Sequence, residues 1–143
     1  MAANNTVLIV GNLTDDPNLR ITPQGQNLTR FSVAVNRRWQ DRTTGEWKEE
    51  TSYFPCTVWR DQAENVAHTF KKGMRVIVAG RLQQRSWETP EGEQRSMVEI
   101  LVEECGPSLR WATAEVSKTS RWSEGASPEG DFDTDPLAPS PEE

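Results

Sequence analysis

The chain has 143 residues, 34% of them hydrophobic and 27% charged, enough for one modest core and an appendage. Its longest apolar runs, VLIV and VIVAG, fall far short of the roughly 20 residues that span a bilayer, and the N-terminal MAANNTVLIVGN lacks the basic and long apolar regions of a signal peptide, so a cytoplasmic location is expected. The net charge of −6 argues against a nucleic-acid partner only until it is resolved along the chain: residues 1–122 hold all 16 Lys and Arg against 15 Asp and Glu, and residues 123–143 hold the remaining seven acids of 22 and no base.

In chain order, TVLIVGNL (6–13) reads as a strand that bends at its glycine. TPQG (22–25) has the Pro and Gly positions of a type I turn. TRFSVAVNR (29–37) alternates, with Phe31, Val33 and Val35 on one side. RWQDRTTGEWKEE (38–50) is polar and glycine-containing, which predicts a flexible hairpin loop. SYFPCTVWR (52–60) is a third strand, with Phe54, Cys56 and Val58 inward and Tyr53, Pro55, Thr57 and Trp59 outward. Pro55 removes a ladder donor and belongs at an edge or a bulge.

One helix follows. Asp61 and Glu64 have capping-box spacing, and Ala63, Val66, Ala67 and Phe70 form an apolar stripe. Lys71 and Lys72 suit its C-terminal dipole, Gly73 supplies a stop, and His68 falls on the solvated side. RVIVAGRLQQRSW (75–87) and RSMVEILVEE (95–104) are two further strands, joined through TPEG (89–92) as a long hairpin, with Val98, Ile100 and Val102 facing inward. Beyond Trp122 the chain is rich in Pro, Ser, Gly and acid and cannot bury enough surface to offset its ordering entropy. Two regions result: a folded domain, 1–122, and a disordered acidic tail, 123–143. Three strands, a helix and two strands fit a mainly β OB-fold, a five-stranded Greek-key barrel with one short helix between its third and fourth strands, although other small β barrels share that order.

Little here suggests catalysis. The single histidine lies on a helix surface, Cys56 points into the core, and no phosphate-binding glycine loop or G-x-S-x-G is present. Cys56 and Cys105 sit in strands as small hydrophobes, and nothing has the spacing of a metal site. No enzyme, metal or cofactor is expected. Aromatics interleaved with cations are more informative. Trp39 lies among Arg37, Arg38 and Arg42; Tyr53 and Trp59 share the outward face beside Arg60; Trp87 follows Arg81 and Arg85. Single-strand binders need this mixture, because every base has a π-face to stack on while Lys and Arg follow the phosphates. Packing under a loop or against another subunit is the competing role of each ring taken alone. Trp47, in an acidic stretch, reads as loop packing or an auxiliary contact, and Trp111 and Trp122, after the last strand, read better as packing or interface residues.

The segments VLIVGNLTDDPNLRITPQGQNLTRFSVAVN, RDQAENVAHTFKKGMRVIVAGRLQQRSW and GPSLRWATA resemble the bacterial single-stranded DNA-binding protein family, the last of them its actinobacterial members in particular. The resemblance spans about residues 5–116. It implies a homotetramer of OB-folds that wraps single-stranded DNA during replication, recombination and repair, in the cytoplasm and associated with the nucleoid. The family's base-stacking positions fall on Trp39, Tyr53, Trp59 and Trp87, and its phosphate contacts match Lys72 and Arg85 best; Arg38, Arg42, Arg60, Arg81 and Arg95 join them on physical grounds. Residues 106–116 would form an extra strand that clamps neighbouring subunits. The tail departs from the family pattern: it is short and ends in Glu143 rather than Pro-Phe. Asp131, Phe132, Asp133, Asp135 and Leu137 would be a variant of the tip that docks on replication and repair proteins, with plain solvation as the alternative. Two other readings stay open: a scaffold that has lost DNA binding, and an RNA-directed OB-fold, since stacking and phosphate contacts do not read the 2′-OH.

Overall fold

Six strands and one helix build the described residues, 4–119 of the computed structural model: β1 (Val7–Leu13), β2 (Asn18–Ile21), β3 (Asn27–Gln40), β4 (Trp47–Trp59), α1 (Arg60–Thr69), β5 (Arg75–Glu88) and β6 (Gln94–Pro107). The sheet runs β1-β5-β6-β4-β3-β2, and β1 pairs a second time with β3 through Asn12↔Ala34 and Leu13↔Val33. That second pairing closes five strands into the OB-fold barrel and leaves β2 as a flank on β3. Only β4 and β6 are parallel, in register at Cys56↔Ile100 and Thr57↔Leu101.

Closure depends on two glycines at close backbone approaches. A Cβ on Gly11 would run into the carbonyl oxygen of Ala34, and one on Gly80 into that of Leu101. Gly11 lets β1 pass from β5 to β3, and Gly80 lies at the register shift in the β5–β6 ladder. Inside, Val33, Val58, Val76 and Val78 have no exposed surface, and burial of each contributes roughly 1.5–3 kcal/mol. Helix α1 adds Ala63 and Val66 to this core, and Phe70, just past its end, packs edge-to-face on Phe31 at 5.4 Å. Thr29 Oγ1 donates to the Ala63 carbonyl at 2.7 Å, tying the helix to β3 without an unpaired polar group.

Several expectations change. The helix begins before the expected box: Trp59, paired with Leu28, remains extended as the N-cap and makes no side-chain cap hydrogen bond, and Asp61 lies within the first turn. The chain turns instead through Arg60, whose φ of +67° is left-handed. The helix ends at Thr69, with Phe70 already extended, so Lys71, Lys72 and Gly73 occupy the turn after it. Residues 38–50 are mostly strand. The β3–β4 ladder continues to Gln40↔Trp47, and the loop is a short turn in which Asp41 Oδ1 accepts from the Thr43 N–H at 2.8 Å. Val98 is 55% exposed rather than inward, because β5 and β6 run on past the barrel as a free ribbon. β2 was not expected; Leu19 and Ile21 alternate with Asn18 and Arg20, but all four residues are exposed and bury no apolar face.

Other expectations hold. TPQG and TPEG close their hairpins alike: Gly25 N–H donates to Thr22 O at 2.8 Å and Gly92 N–H to Thr89 O at 2.9 Å. Pro55 faces Ser32 one residue before the β4–β6 ladder begins at Cys56, an edge position. Cys56 and Cys105 are free thiols. Burial pushes each up to about 12, aided at Cys56 by Cys105 and Glu99 and at Cys105 by Glu104. The extra strand expected over 106–116 is not among these: Gly106 and Pro107 complete β6 opposite Ile77 and Val76, and residues 108–116 are in no strand of the single chain. The chain separates at Ala112/Thr113 into two units, and residues 113–119 of the second have neither helix nor strand. The expected boundary at Trp122 and the tail residues Asp131, Phe132, Asp133, Asp135 and Leu137 lie outside the described residues. Among the described residues, no helix is long and apolar enough to cross a membrane, and no group of three His, Cys, Asp or Glu is placed to hold a metal ion.

Candidate nucleic-acid interface

Strand parity creates the face. With Cys56 and Val58 turned into the barrel, Tyr53, Pro55 and Trp59 turn outward, and Arg81, Gln83, Arg85 and Trp87 of β5 do the same opposite Leu101, Glu99, Met97 and Arg95 of β6. Thr57, expected on this face, shares its side of β4 but is covered, only 2% exposed where β6 pairs with it. Tyr53 keeps 64% of its surface exposed, Trp59 38% and Trp87 39%.

Two hollows open on this face. The larger, about 630 Å³, brings Trp59, Arg60 and Arg81 together with Gln26, Gln83, Leu101 and Glu103. One aromatic platform and two cations at one place suit a nucleotide unit, the ring for the base and the guanidinia for its phosphates. Gln26 Oε1 accepts from Arg60 Nε at 3.5 Å and steers that side chain. The smaller hollow, about 270 Å³, includes Arg30, Pro55, Arg85, Met97, Glu99 and the Asp15–Asp16 turn. Glu99 is buried there and accepts from Gln83 Nε2 at 3.0 Å and Arg85 Nε at 3.2 Å. Arg30 is held below the usual guanidinium range, first by burial and then by repulsion from Arg85, with Glu99 opposing the shift.

The strands continue beyond the barrel as two ribbons carrying rings and cations. On the β3–β4 ribbon the Arg37 guanidinium lies 4.4 Å from the Trp39 ring centre and that of Arg38 4.8 Å from Trp47. Unbroken alternation places Trp47, Tyr53 and Trp59 on one side of β4, whereas Trp39 leaves β3 on the ribbon's other side, opposite Lys48. The four predicted stacking residues therefore do not form one row, and Trp47, 60% exposed, joins the outward set as an auxiliary contact rather than packing under a loop. Its signal was readable: counting back in twos from Tyr53 reaches Trp47, once the strand is known to extend that far. Arg42 is exposed in the ribbon's loop. On the β5–β6 ribbon, Arg85 lies 4.7 Å from Trp87, and Arg95, opposite Trp87, pairs with Glu93 at 2.9 Å. Lys72 is exposed in the turn after α1, its backbone N–H held by Asp16 at 2.8 Å, beside the smaller hollow rather than on the sheet face. Away from both, Trp111 is 74% exposed, with Arg75 and Arg110 at 4.7 and 5.3 Å. Glu99 and Arg30 carried no sequence signal, because only strand register reveals that a charged residue is covered.

Comparison with known proteins places this geometry. The model of the Single-strand binding protein family matches residues 4–108. The single-stranded DNA-binding protein of Mycobacterium tuberculosis is 56% identical over 122 residues, covering 85% of this chain and 74% of that protein. That of Paenarthrobacter aurescens is 51% identical over 122 residues, covering 85% and 71%. Among solved structures, an SSB of Plasmodium falciparum in complex with ssDNA superposes with a TM-score of 0.65 at 27% identity, covering 74% of this chain and 94% of that one.

Proposed function

The chain belongs to the single-strand binding protein family, in its actinobacterial form, and on that premise we propose that it binds and protects single-stranded DNA without regard to sequence, as a non-enzymatic homotetramer serving replication, recombination and repair at the nucleoid in the cytoplasm. Bases stack on Tyr53, Trp59, Trp87 and, across the ribbon, Trp39. Arg38, Arg42, Arg60, Lys72, Arg81 and Arg95 neutralise phosphates; Arg85, expected among them, bonds Glu99 through Nε and Met97 through Nη2 and lies over Trp87, which suits it to a different role. The observation that carries this reading is the larger hollow, where an exposed indole and two guanidinia converge. A duplex reader would present a helix instead, and α1 is committed to the core through Ala63 and Val66.

A tetramer agrees with the apolar strip on β1 and β5. Leu8 and Ile77 are 67% and 40% exposed, and register makes them diagonal neighbours on the barrel's outside. Competition binding with a labelled dT oligonucleotide tests the proposal. Unlabelled dT should displace the label far better than duplex DNA or RNA of equal length, and equal displacement by either would contradict it. Light scattering should give four times the chain mass.

A further inference from the structure

The β5–β6 ribbon contains a buried carboxylate that DNA contact does not require. Glu99 is only 2% exposed, and such a charge persists only when paired. Its Oε2 accepts from Gln83 Nε2 at 3.0 Å and its Oε1 from Arg85 Nε at 3.2 Å. Arg85 Nη2 donates to Met97 Sδ at 3.2 Å, and the guanidinium carbon lies 4.7 Å from the centre of the Trp87 ring. Gln83, Arg85 and Trp87 thus form a same-side series along β5, anchored where the ribbon leaves the barrel and ending at the indole.

We infer that Arg85 is a positioning residue for Trp87: Glu99 fixes the guanidinium plane, and that plane holds the indole with its other face open to a base. The inference rests on Trp87 being a stacking residue. A ring on a free ribbon has no core to orient it, and a base landing on a rotating indole must also order it. A guanidinium stacked beneath the ring supplies that order in advance, and its positive charge attracts the π-face. Glu99 belongs to the binding machinery through two intermediaries and touches no DNA.

A double-mutant cycle on dT oligonucleotide affinity, with the full chain, tests this. Trp87→Ala should weaken binding roughly 5- to 150-fold. Arg85→Lys keeps the charge and the partner of Glu99 but loses the plane; it should weaken binding roughly 2- to 5-fold and add nothing once Trp87 is alanine. The paired change Arg85→Met with Glu99→Gln removes both charges, so the fold keeps no orphaned carboxylate. It should leave the salt dependence unchanged, whereas a lost phosphate contact lowers the slope by about 0.7. A lowered slope, or additive losses from Arg85→Lys and Trp87→Ala, overturns the positioning role while leaving stacking intact. Unchanged affinity in Trp87→Ala overturns stacking at that residue and the inference with it.

Discussion

Replacing Trp59 with alanine removes an indole that is 38% exposed at the mouth of the larger hollow. Taking the whole side chain at the upper end of roughly 150–250 Å² for an aromatic residue, the exposed share is about 95 Å². A base covering all of it contributes about 2.4 kcal/mol at roughly 25 cal/mol/Å², within the roughly 1–3 kcal/mol that base–aromatic stacks cost on truncation. The expected loss in affinity is therefore roughly 50-fold at most. It should not depend on salt, because an uncharged ring releases no counterions. Titrating Trp59→Ala and the parent chain with a dT oligonucleotide over a salt series should give two parallel lines of log affinity against log salt. The barrel should survive, since Trp59 is an extended N-cap that contributes no side-chain cap to α1. A folded Trp59→Ala protein with undiminished affinity, or one whose slope changes with its affinity, would refute the reasoning.

Three further outcomes are expected. Arg60 has φ +67°, a conformation that costs a non-glycine residue roughly 1 kcal/mol or more; Arg60→Gly should therefore be more stable than Arg60→Ala in urea melts, while both lower the salt slope by about 0.7. Gly80→Ala drives a Cβ into the Leu101 carbonyl and should destabilise by about 1–3 kcal/mol or more, whereas Gly106→Ala, which meets nothing, should stay within about 0.5 kcal/mol of the parent; equal thermal midpoints would remove the closure argument. Burial raises both thiols to about 12, above the roughly 8.5 of an unfolded chain, so the folded state keeps protons the unfolded state has lost. That stability is fully present below the unfolded value and is lost as pH rises toward the folded one, by about 1.4 kcal/mol per pH unit for each thiol; urea midpoints across this window should fall less steeply when Cys56 and Cys105 are both valine.

Much of the barrel was legible because its strands are half buried. Phe31 and Val33 flank Ser32, Cys56 and Val58 flank Thr57, Ile100 and Val102 flank Leu101, and each flanking pair is buried. The same parity exposed Tyr53 and Trp59 as misplaced apolar surface, which turned a strand reading into a site reading. Legibility stopped where the core stops. β2 and the outer halves of β3 and β4 bury nothing, so alternation carries no signal there, and a continuous ladder resembles a polar loop. Trp47, the first residue of β4, had only an auxiliary role open to it without that ladder. The helix start was misplaced for another reason: Asp61 and Glu64 have capping-box spacing, but the β4 ladder holds Trp59 extended as the N-cap and the chain turns at Arg60. Glu99 shows the limit most clearly. In the one-dimensional chain it is one acid among many, and only the register Gln83↔Glu99 shows that it is covered and paired with Arg85.

The central claim is that exposed rings stack on bases while neighbouring cations meet the phosphates. Titration of the intact chain with a dT oligonucleotide, following tryptophan fluorescence between roughly 0.05 and 0.2 M salt, tests both halves at once. Strong quenching at saturation, with an affinity that falls steeply and linearly in log salt, is the expected result. Binding without quenching, or an affinity indifferent to salt, would contradict it.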